Sequence, residues 1–462
     1  MKIYSSYQLK GSCKMDELLQ IKSDDSKYVL HSWSKQKGLN PKVITKAEGV
    51  YFWDENGRRY FDMCSQLVYL NVGHQHPKMI ESFQQIRNYP LASPSFATKP
   101  KSELAKKIIE LSPPNMSKVF FTSGGAESND HAIKIAKMVT GRYKIFSRYR
   151  SYHGATFGAG NLTGESRRFY AEPGIPGFIK FEVPYLYREV IDFDSEEEAT
   201  AYYLDKLRNQ ILYEGPHSIA AIVLETIPGS NGVLIPPKGY LEGVRALCDE
   251  FGILMICDEV MTGFGRTGKP FAVNHFDFQP DIITFAKGVT SGYAPLGGVI
   301  VSDKVARYFD ENILMTGLTY SGHTICTHIG CTNIQIYEEE NLFKNAETVG
   351  KTLKSRLEKL LDYSSVGEVR HIGLFAAVEL VKNKVTKEPL IQYGMDYGKD
   401  PAGLMSQFVQ RLISNGFYTY SHESSVIIAP PLIITERQIH EAMNLFEQTL
   451  QQFEKECLSA LA

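Results

Sequence analysis

Gly252-Ile253-Leu254-Met255-Ile256-Cys257-Asp258-Glu259-Val260-Met261-Thr262-Gly263-Phe264-Gly265-Arg266-Thr267-Gly268 opens the stretch that decides the fold, and it runs on to Asp303. An apolar run, Ile253 to Ile256, ends on an acid, and a glycine-broken loop follows. A second strand-like run, Asp281-Ile282-Ile283-Thr284-Phe285-Ala286, delivers Lys287-Gly288 in the same way. An acid and an amine thus each stand at the carboxyl end of a short apolar strand, where open α/β sheets place their ligands.

Asp258 follows a fully apolar strand, so its carboxylate is expected to be desolvated, and a buried carboxylate stays ionised only beside a cation or several donors. A pyridinium nitrogen is such a cation. Lys287 arrives after a β-branched and aromatic run and before a glycine, which suits an amine held in a low-dielectric pocket with a depressed pKa. A neutral amine forms a Schiff base with an aldehyde. Pyridoxal phosphate carries both the aldehyde and the ring nitrogen, and a protein that binds it holds the ring and keeps that nitrogen protonated. Alone, Asp258 would read as a helix cap and Lys287 as a solvated loop lysine; placed together at two strand ends, they ask for a cofactor between them.

The 462 residues exceed what one core organises, so two or three domains are expected. A formal net charge of −2 with 22% charged residues shows no basic excess, which argues against nucleic acid and anionic membranes as partners. Seven cysteines with no Cys-x-x-Cys pair do not make a disulfide framework, and a reducing, cytoplasmic location is expected. Met1-Lys2-Ile3-Tyr4-Ser5-Ser6-Tyr7 has no continuous apolar segment, and nowhere does the chain approach the ~18 to 20 apolar residues of a membrane span.

Along the chain, the region before Gly49 is weakly patterned, with an amphipathic patch at Leu18-Leu19, and reads as an N-terminal arm. Val50 to Asp62 reads as a hairpin turned at Asn56-Gly57, and Gly73-His74-Gln75-His76-Pro77 opens a helix with proline in its first turn. Lys118 to Thr122 reads as a strand broken by Ser123-Gly124-Gly125-Ala126-Glu127-Ser128 before a helix. A strand, a glycine pair and a helix start gather free backbone N–H groups and the positive helix end, which can seat a phosphate, although alone a glycine pair before a helix is more often only a tight connection. After strand Lys144-Ile145-Phe146, the loop Arg148-Tyr149-Arg150-Ser151-Tyr152-His153-Gly154 offers Tyr152 to stack on a flat ring, or equally as a rim residue. Residues 164–215 read as a long irregular stretch in which Glu196-Glu197-Glu198 starts a solvated helix. Strand Ile219 to Leu224 again ends on an acid, Glu225, and helix Gly239 to Phe251 leads back to the opening strand. This alternation predicts a mostly parallel sheet covered on both faces. His323, Cys326, His328 and Cys331 superficially resemble a zinc site but lie along one helix, and no metal is expected. Helices Thr348 to Leu361, Gly403 to Ser414 and Glu436 to Phe453 alternate with strands Leu374 to Leu380 and Val426 to Ala429, which predicts a separate α+β C-terminal domain. The expected division is 1–60 as an arm and part of a small domain, 61–340 as the large cofactor-binding domain, and 341–462 as the remainder of the small one.

Asp258-Glu259-Val260, Gly263-Phe264-Gly265-Arg266-Thr267-Gly268, Pro280-Asp281, Ala286-Lys287-Gly288 and Pro295-Leu296-Gly297-Gly298 together resemble the signature of class III pyridoxal-phosphate aminotransferases, the ω-aminotransferases, from about Val50 to Pro431. Within that family, His31-Ser32-Trp33-Ser34, Ser65-Gln66-Leu67-Val68, Gly124-Gly125-Ala126 and Tyr320-Ser321-Gly322-His323 are most similar to taurine–pyruvate aminotransferases, which points to Trp33 and Val68 in the substrate pocket. The resemblance implies an α/β fold of type I: a large domain with a seven-stranded sheet, a smaller α+β domain built from both chain ends, and a homodimer, or a tetramer of such dimers, with active sites at the interface. It implies Lys287 as Schiff-base lysine and proton shuttle, Asp258 at the pyridine nitrogen, Val260 and Tyr152 on the two ring faces, Gly125 and Ala126 on the phosphate, and Thr319 reaching the partner's phosphate. Many relatives carry serine at the position of Ala126. Many also carry an arginine for the acceptor carboxylate ten residues before the paired prolines, where this chain has Tyr420, so another cation is needed, and Arg150 is the candidate. The implied reaction is ping-pong amino transfer from an ω-amino acid or primary amine, such as taurine or β-alanine, to a keto acid such as pyruvate. An aminomutase, racemase or decarboxylase on the same fold, or a non-catalytic cofactor-binding protein, is the alternative.

Overall fold

Seven strands form the central sheet of the computed structural model, in the spatial order Met116–Thr122, Gly297–Ser302, Ile282–Phe285, Leu254–Asp258, Ile219–Glu225, Lys144–Arg148, Phe178–Phe181. The structure describes residues 11–391, 400 and 403–458; the stretch Met1–Tyr7 discussed above lies outside them. The five strands from Ile282–Phe285 to Phe178–Phe181 are parallel, and Gly297–Ser302 runs antiparallel to both of its neighbours, so the sheet is mixed with a parallel majority. Every residue of Ile219–Glu225 and Leu254–Asp258 is buried, because helices cover both faces and leave no strand side to solvent. The register sets Asp258 opposite Glu225 on one side and Thr284 on the other, so the strand ends that the sequence marks with acids come out level.

Several elements differ from the sequence reading or are new to it, the antiparallel strand Gly297–Ser302 and the strand Val366–Ile372 among the new ones. Phe178–Phe181 is the parallel edge strand beside Lys144–Arg148, inside the segment read as irregular; four residues are too few for a period-2 pattern to stand out. The helix expected from Thr348 begins earlier, at Leu342, and runs to Leu360. The helix that opens with three glutamates is Glu196–Glu214, and the Ser195 side chain caps it by accepting from the Glu198 N–H. Upstream, helix Gly11–Tyr28 buries Leu18 and leaves Leu19 59% exposed.

Both chain ends meet. The hairpin of Tyr51–Asp54 and Arg59–Asp62, turned at Gly57 with φ 74°, takes Phe417–Tyr418 as a further strand parallel to Arg59–Asp62. A further sheet orders Val366–Ile372, Phe375–Asn383, Ser425–Ile428 and Ser421–His422; helix Leu342–Leu360 packs on Val366–Ile372 and on helix Glu436–Phe453, while helices Leu404–Ser414 and Glu436–Phe453 pack on each other and on Phe417–Tyr418. Arg266, from the glycine-broken loop, is fully buried where these regions join. Its Nη1 donates to the carbonyls of Leu374 at 3.0 Å and Pro430 at 2.5 Å, and its Nη2 to Ser65 Oγ at 3.2 Å and Asn71 Oδ1 at 2.7 Å. Burial pushes its guanidinium down to about 10, which still leaves it charged at neutral pH.

Replacing Arg266 with leucine strands several buried acceptors at once, each costing about 1 to 3 kcal/mol. Arg266→Leu is therefore expected to lose at least ~3 kcal/mol in urea unfolding. A variant within about 1 kcal/mol of the parent would show that the loop and both chain ends dock without this guanidinium.

Candidate active site

A cavity of about 790 Å³ opens at the carboxyl ends of the central strands, and Asp258, Val260, Lys287, Glu225, Tyr152, Gly125 and Ala126 all line it. Asp258 is buried to 4% exposure, and three donors compensate it: His153 Nδ1 at 2.7 Å and Asn129 Nδ2 at 2.8 Å on one oxygen, and the Val260 N–H at 3.0 Å on the other. Asn129 sits on helix Gly125–Thr140, and its own oxygen accepts from Thr284 Oγ1 at 2.8 Å, on the strand that leads to Lys287. The acid, the helix start and the lysine strand are thereby bonded into one unit.

Lys287 takes a left-handed backbone conformation, φ 47°, on a single turn after Ala286. A non-glycine residue there costs on the order of 1 kcal/mol, strain of the kind that collects where a side chain must be aimed. Burial pushes the amine down to about 8, against the opposing pull of Asp258 and Glu225. Glu225 accepts from the backbone N–H groups of Tyr152 at 3.0 Å and Gly229 at 2.9 Å, and burial pushes its carboxyl up.

Helix Gly125–Thr140 starts three residues past strand Met116–Thr122, with Gly124 at its cap in an extended conformation, and its first N–H groups have no intrahelical acceptor. A Cβ at Gly125 would stand 2.9 Å from Val260 Cγ1, so only glycine lets the helix start lie against the residue after the acid pair. Ala126 is confined too: a Cβ at Gly154 would stand 2.5 Å from its methyl group. These N–H groups and the helix end can hold an anion such as a phosphate.

The structure revises two of the expected pocket residues and adds a third. Leu67, not Val68, faces the cavity; Val68 is 1% exposed and packs with Ile227, Phe375 and Ile427, because left-handed kinks at Ser65, Gln66 and Val68 turn this segment out of a regular helix. Arg150 lies outside the cavity and pairs with Glu423 at 3.1 Å, beside a smaller cavity lined by Tyr185 and Arg188. The cation that does line the main cavity is Arg167, from the segment read as irregular. Its guanidinium stacks 3.8 Å over the Tyr152 ring and 5.9 Å from Trp33, while Nε donates to the buried Glu165 at 2.5 Å and Nη2 to Ser230 Oγ at 3.3 Å. Nη1 has no hydrogen-bond partner among the described residues. One face of Tyr152 is thus occupied by a cation. No sequence period marks Arg167; only Glu165 two residues earlier, and glycine at 164, hint at a built turn.

Trp33 and Tyr420 line the cavity, and burial pushes the Tyr420 hydroxyl up. Thr319 is exposed and does not line this chain's own cavity. His422, Glu423 and Asp400 do line it, and none stood out in the sequence. The His323, Cys326, His328 and Cys331 side chains do not converge on one point: Cys326 Sγ lies 3.8 Å from His323 Nδ1, but His328 Nε2 bonds the Ser82 carbonyl and Cys331 the Pro100 carbonyl. His74 and His76 pair with Asp62 and Glu340. Six described cysteines are free, and no helix among the described residues is long and apolar enough to cross a membrane.

Known proteins share this fold. The taurine:2-oxoglutarate aminotransferase from Bifidobacterium kashiwanohense, in a crystal structure with PLP and glutamate, superposes with a TM-score of 0.91 at 47% identity over 95% of this chain and 98% of that one. The putrescine–pyruvate aminotransferase of Pseudomonas aeruginosa is 34% identical over 92% of this chain and 94% of its own length, and the taurine–pyruvate aminotransferase of Bilophila wadsworthia 33% identical over 90% and 94%. The profile of the family described as aminotransferase class-III matches residues 33–450. With relatives above 30% identity along nearly their whole lengths, one assignment remains: the chain belongs to the class III aminotransferases, transferases that work with pyridoxal 5′-phosphate.

Proposed function

We propose that the protein moves the amino group of an acid-bearing ω-amine, such as taurine or β-alanine, to a small keto acid such as pyruvate, in two half-reactions at one site. The observation that carries this reading is Arg167: a guanidinium with an open Nη1 lines the same cavity as Lys287 and Asp258. The relatives include enzymes named for taurine and for putrescine, whose far ends carry opposite charge. A guanidinium favours the sulfonate or carboxylate over a second ammonium by several kcal/mol at close range. The acids that line the cavity do not reverse this. Glu423 is tied to Arg150, and Asp400 accepts from the N–H groups of Leu404 and Ser406, both at 2.9 Å, at a helix start.

The residues suit the cofactor. A helix start that only glycine lets approach Val260 supplies an anion seat, a compensated buried acid faces a ring nitrogen, and a lysine amine already lowered to about 8 is ready as a nucleophile. When bound, pyridoxal phosphate supplies an aldehyde for the amine and a protonated ring that withdraws electrons from the carbon losing its proton. In this reading Gly124, Gly125 and Ala126 hold the phosphate through backbone N–H groups, Val260 and Tyr152 hold the ring, Glu225 fixes the Tyr152 backbone, and Asp258 keeps the ring nitrogen protonated. Lys287 carries the cofactor and, once displaced, moves the proton. Arg167 orients the donor's acid group and then the acceptor's carboxylate, since both half-reactions use one cavity and Tyr420 stands where many relatives have an arginine.

The same reading places the protein in the cytoplasm as a homodimer, with Thr319 completing the partner's phosphate site. Thr319 is exposed beside exposed Ile313, Met315 and Tyr320, an apolar edge that a second copy would cover. It also divides the chain into a large cofactor-binding domain, 61–340, and a small one from 1–60 and 341–462, supported by the strand pairing of Phe417–Tyr418 with Arg59–Asp62.

Three variants test the roles. Lys287→Ala should fold normally, bind the cofactor without a borohydride-reducible link, and show no turnover; a reducible link surviving in it would assign another lysine. Asp258→Asn should keep the cofactor and lose several orders of magnitude in half-reaction rate, since each pKa unit lost from the ring nitrogen is about 1.4 kcal/mol; a loss of only a few-fold would remove the acid from the mechanism. Arg167→Met should lower kcat/KM for taurine by roughly 10 to 150-fold, the equivalent of a lost charged hydrogen bond, while an Arg150→Met variant that did so instead would return the role to Arg150.

A further inference from the structure

Tyr420, Ser421, His422 and Glu423 pass along the cavity wall just before the strand Ser425–Ile428, and one side chain among them is unaccounted for. His422 ends the short strand Ser421–His422, registered against Ser425, and the turn after it is tight enough that Glu423 takes a left-handed conformation, φ 49°. That turn sends the Glu423 carboxylate to Arg150 and leaves the His422 ring in the wall that Arg167 also lines. The His422 Nε2 is buried and has no hydrogen-bond partner among the described residues. Buried polar side-chain atoms are nearly always paired, so an orphan in the wall of a ligand cavity marks a place where the ligand supplies the partner.

We propose that His422 is a specificity-determining residue: its ring N–H is a second ligand, beside the Arg167 guanidinium, for the acid group of the donor and of the keto acid. The inference rests on the acid-binding reading of Arg167 and deepens it. The charged groups acting on the ring are Arg167 and Arg150, with the Glu423 carboxylate turned towards Arg150. Burial first, then these two guanidiniums, push the ring down to about 3, so at neutral pH it is uncharged and offers one N–H and one lone pair. In that positive field an incoming anion is favoured over an ammonium, but the N–H groups Arg167 has left all lie in one plane, Nε being spent on Glu165 and one Nη2 hydrogen on Ser230. A sulfonate brings three oxygens and a carboxylate two, so Nη1 and the His422 N–H answer two of them and fix the acid group from two directions. A neutral donor also sets distance without adding charge that would hold the product.

The test compares His422→Leu, which removes the N–H, with His422→Gln, which restores one, in the cofactor-loaded enzyme. The reading is the ratio of kcat/KM for taurine to that for propylamine, together with the dissociation constant of ethanesulfonate, which has the acid group but no amine. The leucine variant should lower the ratio by about 10 to 30-fold, mainly through KM, and weaken ethanesulfonate by a similar factor. Glutamine should recover most of both. An equal fall with both amines and unchanged ethanesulfonate binding would make His422 a packing residue only and overturn the inference, as would glutamine and leucine behaving alike. A wild-type enzyme with no preference for taurine over propylamine would instead overturn the acid-binding reading of the cavity, and this inference with it.

Discussion

The Asp258 carboxylate, held out of water at the end of the central strand, is the constraint around which the rest of the site is arranged. An ion at 4% exposure survives only if nearby groups replace its hydration, and here they come from three different elements. Asn129 reaches in from the helix start and also bonds the His153 carbonyl at 2.8 Å, His153 reaches from the loop that carries Tyr152, and Val260 closes from the chain itself. Thr284 holds Asn129 from the strand of Lys287. The cost of burying one charge is thus offset by bonds that fix the start of helix Gly125–Thr140, the loop of Tyr152 and the strand of Lys287 in one register. Such a network carries more than its pairs taken singly, because each member orients the next.

The outer part of the cavity follows a different rule. Its charges are paired, but unevenly: Arg167 with the buried Glu165, Arg150 with Glu423. A pair turned so that one partner points away from the cavity leaves a dipole rather than a full charge, which can select an anion and still release it. Stacking on Tyr152 and the bond to Glu165 hold the Arg167 plane in place, and a planar donor held in place loses little freedom when it binds. In the proposed reading the restraint on Arg167 is therefore as much a part of selectivity as its charge.

How far the sequence discloses this site depends on how local each signal is. Asp258, Glu225 and Lys287 are legible because parallel strands buried on both faces must be continuous apolar runs, and a polar residue that ends one is conspicuous. The helix start at Gly124 to Ala126 is legible because a glycine pair punctuates the pattern. Arg167 and His422 are not, since each belongs to a short turn whose direction is set by distant partners, Glu165 and Ser230 for the one and the pairing with Ser425 for the other. The reading of Val68 differs by one position from the residue that faces the cavity for a physical reason: three of the four residues 65–68 have positive φ, and such a kink exchanges which neighbour faces inward. The parallel core of the fold is legible in the sequence, whereas the edge strand Phe178–Phe181, the antiparallel strand Gly297–Ser302 and the strand Val366–Ile372 are not.

The two neighbouring acids show why the glycine-broken loop must follow this strand. Asp258 and Glu259 are consecutive, and side chains alternate along an extended chain, so only one of them can face the cavity. Glu259 turns the other way, fully buried, and accepts from Thr226 Oγ1 at 2.7 Å, from the N–H groups of Ala272 at 2.9 Å and Val273 at 2.8 Å, and from Thr262. Burial pushes its carboxyl up while those donors oppose the shift. Both ends of the loop are thereby drawn onto one carboxylate, and the loop between them has to fold back tightly, with positive φ at Phe264, Gly265 and Gly268. At its tip stands Arg266, delivered into the junction of the two chain ends. An acid pair that reads as redundant in the sequence is split by strand geometry into two tasks: one carboxylate ties together the elements around the cavity, and the other fastens the loop whose arginine fastens the fold.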